Sequence, residues 1–193
     1  MAACGKIVAP ALLLVFFLNC SGEKISFEKK LNVHLNNFTG EVSVEPVSPN
    51  KGYYIRIENN LTGNSDRIYT PYEIFDLQTG DINGDGLADL CIGLIKPTLF
   101  DPVLKKRLFI FQIDRDYIRP LWLGSRLVYT LDRFVVLKNP RGPDIIRTIE
   151  QKTKDQWLIG EYNWASFGLY PRFPHSEDLS FDKALSRFTK TAL

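Results

Sequence analysis

The stretch that decides the fold is residues 81–95, with the sequence DINGDGLADLCIGLI. It places oxygen-bearing side chains at the first, third, fifth and ninth positions of a loop, and a glycine at the sixth. A short loop wraps a hard cation such as Ca²⁺ by turning alternate side chains inward, and glycine permits the sharp reversal. The sequence therefore predicts a calcium loop that runs directly into an apolar strand.

The predicted ligands are four side chains and one main-chain carbonyl, at the seventh position of the loop. With the carbonyl last, they are Asp81, Asn83, Asp85, Asp89 and Leu87. An all-oxygen set with no nearby His or Cys suits Ca²⁺ better than Zn²⁺. An EF-hand would require an acid at the twelfth position, where this chain has Ile92. The alternative interpretation is a metal-free Asp/Gly turn.

Residues 80–93 resemble the FG-GAP or VCBS-type repeat of integrin-like β-propellers and of many exported bacterial proteins. Segments 108–113 and 119–124 are similar to the rest of such a unit, which would span about residues 72–124. The resemblance implies that the same five residues hold a structural Ca²⁺. A second, degenerate unit is expected over about residues 131–173, where Asp144 stands in the place of Asp89 but the acidic loop has become Asn-Pro-Arg-Gly-Pro.

The remaining pattern is that of antiparallel sheet. Apolar and polar residues alternate in segments 31–35, 41–44 and 54–57, which predicts half-buried strands. We predict an all-β fold: an incomplete, propeller-like set of about three blade-sized units, or a β-sandwich or barrel that bears one calcium loop. Helical spacing in residues 182–193 predicts a short C-terminal helix. Open stacks expose sheet edges, and we expect the charged N-terminal tether or this helix to cover them.

The N-terminus has the pattern of an export signal. Lys6 precedes an apolar stretch over residues 7–18, which as a helix would rise about 18 Å, well short of a hydrocarbon core of roughly 30 Å. Residues 17–20 resemble a bacterial lipobox, which implies that Cys20 is lipidated. The expected organisation is a signal peptide over 1–19, a tether over 20–30 and a single β domain over 31–193. Plain secretion, or a periplasmic location, is the alternative.

Composition and motifs limit the classes of function that this chain could have. The formal net charge is +2 and aromatics make up 12% of residues, a balance typical neither of nucleic-acid binding nor of disorder. No catalytic residues are predicted: Cys91 stands alone in an apolar strand, and the two histidines lie far apart. We therefore expect a non-enzymatic protein of the cell envelope, held to the membrane only by its lipid, that binds an unknown protein or glycan. A carbohydrate-active enzyme or its accessory module, and a periplasmic inhibitor or assembly factor, are the alternatives.

Overall fold

The computed structural model describes residues 27–35, 37–48, 51–124, 127–172 and 176–190. The predicted lipidation site at Cys20 and the signal peptide lie outside these residues. Within the described ranges the chain forms thirteen strands and one helix. The prediction of an all-β fold with one short helix is confirmed.

The strands form three separate antiparallel sheets, each built from consecutive segments of the chain. The first sheet contains β1 (Lys29–Leu35), β2 (Phe38–Pro46), β3 (Tyr53–Asn59) and β4 (Ser65–Thr70). The second sheet contains β5 (Glu73–Gly80), β6 (Ala88–Thr98), β7 (Asp101–Asp114) and β8 (Tyr117–Trp122). The third sheet contains β9 (Thr130–Leu137), β10 (Ile145–Gln151), β11 (Trp157–Ala165), β12 (Gly168–Pro171) and β13 (Ser176–Leu179).

Each sheet is a simple meander, in which every strand pairs with the next one along the chain. The third sheet departs from this order only at β13, which pairs with β11 as β12 does. Hairpins of this kind require only short turns, such as Arg115 and Asp116 between β7 and β8, both with positive φ.

The three sheets stack face to face, because their strands carry apolar side chains on the faces that meet. Val42, Ile57 and Leu90 belong to the core between the first and second sheets. Cys91 and Ile146 belong to the core between the second and third. No closed barrel is present among the described residues, and an open set of three blade-like sheets is the architecture observed.

Helix α1 (Phe181–Lys190) covers a face of the third sheet, whereas we expected it to cover an edge. The reason is that β10 is apolar on both sides: Ile146 faces the second sheet, and Ile149 packs with Ala184 and Phe188 of the helix. Leaving a second apolar face exposed to water would cost more free energy than leaving a strand edge of a few residues unpaired.

The hairpin between β6 and β7 also differs from expectation. A proline commonly ends a strand, yet β6 continues past Pro97 to Thr98, and β7 begins at Asp101. Pro97 lacks an N–H donor, and the strand pairing accommodates it by a shift in register between Lys96 and Thr98. We call residues 97–104 the β6–β7 tip.

The stack has two ends with different chemistry. At the loop end lie the β5–β6 loop, the β7–β8 turn and the β1–β2 turn, where Asn37 donates to the carbonyl of Ile113. At the opposite end, the tip end, lie the β6–β7 tip and the start of β1, because successive strands run in opposite directions. Among the described residues, no helix has the length and apolar character needed to cross a membrane.

Candidate calcium loop

The candidate site is the loop between β5 and β6, closed by the pairing of Gly80 with Asp89. Gly84 and Gly86 have φ angles of +78° and +82°, a region that side chains with a Cβ rarely adopt. These two glycines let the chain reverse twice within a few residues. Four of the five predicted ligand residues consequently lie on one tightly wound turn, and the fifth, Asp89, lies at the start of β6 where the loop closes.

The loop is wound around the acidic side chains. Asp81 accepts hydrogen bonds from the N–H of Gly84 at 2.8 Å and of Gly86 at 3.0 Å, one at each carboxylate oxygen. Asp85 accepts one from the N–H of Leu87 at 2.8 Å. The amide oxygen of Asn83 accepts one from the N–H of Asp85 at 3.2 Å. Side chains of the predicted ligand set thus organise the backbone of the loop.

Asp89 is the buried member of the set. Its side chain has no solvent exposure, and its Oδ2 accepts a hydrogen bond from the N–H of Ile82 at 2.7 Å. Burial raises the pKa of Asp89 to about 7, against the opposing effect of hydrogen bonds from the N–H groups of Ile82 and Asn83. The negative charges of Asp85 and Asp81 raise it further. A fully buried carboxylate therefore lies close to two other acids.

Within the described part of the chain, none of these three acids forms an ion pair with a lysine or arginine. Partial compensation comes instead from amide groups. Gln112 places its Nε2 2.7 Å from Oδ2 of Asp85 and 3.5 Å from Oδ1 of Asp89. Asn83 also donates to Oδ2 of Asp85, at 2.8 Å. The side-chain nitrogen of Gln112 therefore lies between two carboxylates.

Sequence reasoning missed Gln112, which lies on β7 directly opposite Asp89. The only signal available was its polar character inside the apolar run of residues 108–113. A polar residue in such a run indicates that its strand passes a polar site. The pairing register that brings Gln112 to the loop was not readable from the chain.

The neighbouring sheets hold the loop from both sides. From the first sheet, the side chain of Asn37 accepts a hydrogen bond from the N–H of Ala88 at 3.0 Å. From the third sheet, Oδ2 of Asp144 accepts one from the N–H of Asp81 at 2.9 Å, and the N–H of Asp144 donates to the carbonyl of Asp81 at 2.8 Å. The loop is thus joined by hydrogen bonds to both the first and the third sheet.

The donor set fits a hard cation in its chemistry. It consists of oxygens on one loop, and it lacks an internal cation to balance three carboxylates. In the geometry described, N–H groups occupy several of these oxygens, and within the described residues no group of three or more His, Cys, Asp or Glu side chains converges on one point. Calcium binding by Asp81, Asn83, Asp85, Leu87 and Asp89 stays a prediction.

A second polar cluster, unpredicted from sequence, lies in the third sheet. The buried carboxylate of Glu150 accepts hydrogen bonds from the hydroxyls of Thr148 at 2.6 Å and Tyr162 at 2.7 Å, and from the N–H of Tyr129 at 2.6 Å. Burial and the charge of Glu150 raise the pKa of Tyr162. Because Glu150 has no solvent exposure, this cluster fixes the core and is closed to substrates.

Three further residues with reactive or aromatic side chains, Cys91, Trp122 and Tyr162, are packed in the core between the second and third sheets. Cys91 is fully buried, and burial raises the pKa of its thiol, so it lacks the thiolate character of a nucleophile. Trp122 and Tyr162 are also buried and cannot form an exposed sugar-binding platform. His34 lies on β1, and His175 falls outside the described residues.

Comparisons of the chain with protein-family models, with curated proteins and with solved structures found no match.

Proposed function

We propose that this chain is an exported, lipid-anchored, non-enzymatic β protein of the bacterial cell envelope, in which Ca²⁺ orders the β5–β6 loop and so stiffens a binding or adhesion surface. The observation that carries the proposal is the buried carboxylate of Asp89 beside Asp81 and Asp85, with no lysine or arginine paired to any of them in the described residues. The FG-GAP-like sequence of the loop supports the choice of calcium.

The residues that would hold the ion are the side chains of Asp81, Asn83, Asp85 and Asp89 and the carbonyl of Leu87. Calcium supplies positive charge among carboxylates that otherwise repel one another. The chain supplies the shape: Gly84 and Gly86 allow the winding, and the fixed strand pairing positions Asp89. Hydrogen bonds to Asn37 and Asp144 transmit order in the loop to both neighbouring sheets.

The envelope location rests on the sequence. An apolar stretch too short to span a bilayer is followed by the lipobox-like residues 17–20, and Cys20 is the residue that would carry the lipid. The binding role follows from what the described residues offer: a rigid sheet stack, and acids that are engaged in loop and core structure instead of lining a catalytic cleft.

The test is thermal unfolding of the wild-type protein with Ca²⁺, with Mg²⁺ and with EDTA. Calcium is expected to raise the melting temperature, with a stabilisation of about 2.7 kcal/mol when free Ca²⁺ is 100 times the dissociation constant. Magnesium is expected to have a much smaller effect, because it demands a tighter octahedral site.

The matched variants are Asp85→Ala and Asp114→Ala. Asp85→Ala should abolish the calcium effect. Asp114, on the neighbouring β7–β8 turn, pairs only with Arg115 and Arg119 in the described residues, and Asp114→Ala should retain the effect. Identical melting curves in calcium and EDTA for the wild type would refute the proposed metal role.

A further inference from the structure

Exposed apolar side chains are concentrated at the tip end. Leu99 and Phe100 are 90% and 94% exposed, and Val103, Leu104 and Leu123 are each more than half exposed. Single exposed apolar residues are ordinary on protein surfaces, but a contiguous group indicates a surface that contacts a partner or a membrane. This group has no covering element among the described residues.

The β6–β7 tip is held rigidly by Arg107. Its guanidinium donates to the carbonyls of Lys96 at 2.9 Å and Asp101 at 3.3 Å, and it pairs with the carboxylate of Asp101 at 2.8 Å. The hydrogen bonds from Arg107 and Lys105 lower the pKa of Asp101 to about 2. The exposed Leu99 and Phe100 are therefore presented by a fixed hairpin and do not depend on loop flexibility.

Basic side chains surround this apolar group. A cleft of about 940 Å³ between the second and third sheets is lined by Leu99 and Phe100 together with Lys105, Lys106, Arg107 and Lys152. Five bases lie at the tip end, Lys96, Lys105, Lys106, Arg107 and Lys152, and the last four pair with Asp101, Asp132 or Asp178. Glu73, opposite Ile95, is a further acid at this end. The loop end carries Asp81, Asp85, Asp89, Asp114 and Asp116, and there Arg115 and Arg119 pair with Asp114 and Lys138 pairs with Asp144.

The start of the described chain lies at the same end. β1 runs from Lys29 toward the loop end, so Phe27 and Lys29 are on the tip side. Six residues lie between Cys20 and Phe27, and the seven steps along the chain span at most about 25 Å. If Cys20 carries a lipid, the tip end is held close to the membrane surface.

We propose that the tip end docks on an anionic phospholipid membrane, with Leu99 and Phe100 inserted at the interface and the surrounding lysines on the lipid phosphates. The proposal rests on the lipid anchoring proposed above and adds a second, protein-borne contact to it. Apolar side chains flanked by lysine and arginine are the chemistry that binds such interfaces. Docking would turn the loop end, with the β5–β6 loop, away from the membrane.

The test uses the lipidated protein in vesicles of phosphatidylcholine, alone or mixed with phosphatidylglycerol. An environment-sensitive fluorophore is attached at Val103→Cys, which leaves Leu99 and Phe100 intact. The matched control is the same label at Leu61→Cys, 73% exposed at the loop end. Cys91 is buried and does not compete for the label.

The label at position 103 is expected to shift to the blue and to be quenched by brominated lipid in vesicles containing phosphatidylglycerol, and the label at position 61 to remain unchanged. Leu99→Ser with Phe100→Ser should reduce the docked population at least about tenfold. Lys105→Gln should reduce it about fivefold, and only in anionic vesicles. Unaltered melting temperatures of these variants confirm that they fold.

Flotation of the protein with the vesicles separates the two proposals. If the wild type floats, Cys20→Ser does not, and the label at position 103 still reports water, the anchor stands and membrane docking of the tip is refuted; the apolar group then belongs to a protein partner. If the wild type does not float, the lipid anchor itself is refuted. Equal blue shifts at positions 103 and 61 would also overturn the orientation proposed here.

Discussion

Two loops occupy the same place in neighbouring sheets and balance their acids differently. The β5–β6 loop of the second sheet gathers Asp81, Asp85 and Asp89 without an internal cation in the described structure. The β9–β10 segment of the third sheet carries Asp144, which pairs with Lys138 at 2.8 Å and accepts the N–H of Asn139 at 3.0 Å. In both loops, a carboxylate that accepts a main-chain N–H group lies where the following strand begins.

The difference shows two ways in which a loop of this stack can hold a carboxylate. In the third sheet a lysine provides the positive charge, and a single acid is sufficient. In the second sheet the charge must come from outside, or from amide dipoles such as that of Gln112. On the proposed calcium role of the β5–β6 loop, Lys138 in the third sheet does for Asp144 what the ion would do for Asp81, Asp85 and Asp89.

The largest loss of stability is expected from Asp144→Ala, which removes the carboxylate that pairs with Lys138 in the β9–β10 segment. Asp144 is 5% exposed, and its removal leaves the N–H groups of Asp81 and Asn139 and the ammonium group of Lys138 without their acceptor. We expect a loss of about 3 kcal/mol in the free energy of unfolding, measured with urea. Asp155→Ala, at an exposed turn position, should change it by less than about 0.5 kcal/mol. Equal losses for the two variants would contradict the assigned role.

The second-largest change in stability is expected from Gln112→Lys. This substitution would place a lysine beside the acids of the β5–β6 loop, as Lys138 stands beside Asp144 in the third sheet. An ammonium group placed between Asp85 and Asp89 should raise the stability measured in EDTA by about 2 kcal/mol. The rise in melting temperature on addition of calcium should disappear. The matched variant Gln112→Ala removes the amide without adding charge, and should lower stability in EDTA while keeping the calcium response. A calcium response that persists in Gln112→Lys would show that the two loops are not balanced in the same way.

The smallest change in stability is expected at Asp132 on β9, a second acid that forms ion pairs with basic side chains. Burial raises its pKa, but hydrogen bonds from Lys106 and Arg133 outweigh burial, and the net pKa lies below the ordinary 3.8. A lowered folded-state pKa gives stability that is complete above pH 3.8 and is lost as the pH falls through the lower value. Asp132→Asn should therefore cost about 1 kcal/mol at neutral pH and nothing in strong acid, measured by urea unfolding at both pH values.

The control for this pH dependence is Asp178→Asn, which alters an ion pair of the same kind that is more exposed. The Asp178 side chain is 56% exposed, compared with 19% for Asp132. Its substitution should have little effect at either pH, because solvent screens the pair. An equal cost for Asp132→Asn at neutral and acidic pH would show that the carboxylate acts through packing alone.

The strands and the loop were predictable because their signals are local. Alternation of apolar and polar residues follows from the two faces of a strand, and the spacing from Asp81 to Asp89 follows from the geometry of a short turn. The hairpin at Arg115 and Asp116 was readable for the same reason. These features depend on residues adjacent in sequence, so a single sequence is sufficient to find them.

The partners of the loop were not predictable, because they come from distant parts of the chain. Asp144 reaches Asp81 across 63 residues, and Gln112 reaches Asp85 across 27. Asn37 lies in the turn between β1 and β2, and both ends of its amide are bonded to the second sheet. Such contacts depend on the stacking of the sheets, which alternation along one strand does not encode.

Helix α1 covers the outer face of the third sheet. It lies on Ile149, Trp157 and Ile159, the surface on which a fourth sheet would otherwise pack, and it turns Asp182 and Lys183 to the solvent. In repeat proteins a polar outer surface on the terminal unit stops further growth of the array. The outer face of the first sheet is already polar, with Arg56 and Glu58 paired on it. Among the described residues, the two outer faces of the stack are therefore covered or polar, and a second copy that stacked on the third sheet would first have to displace this helix.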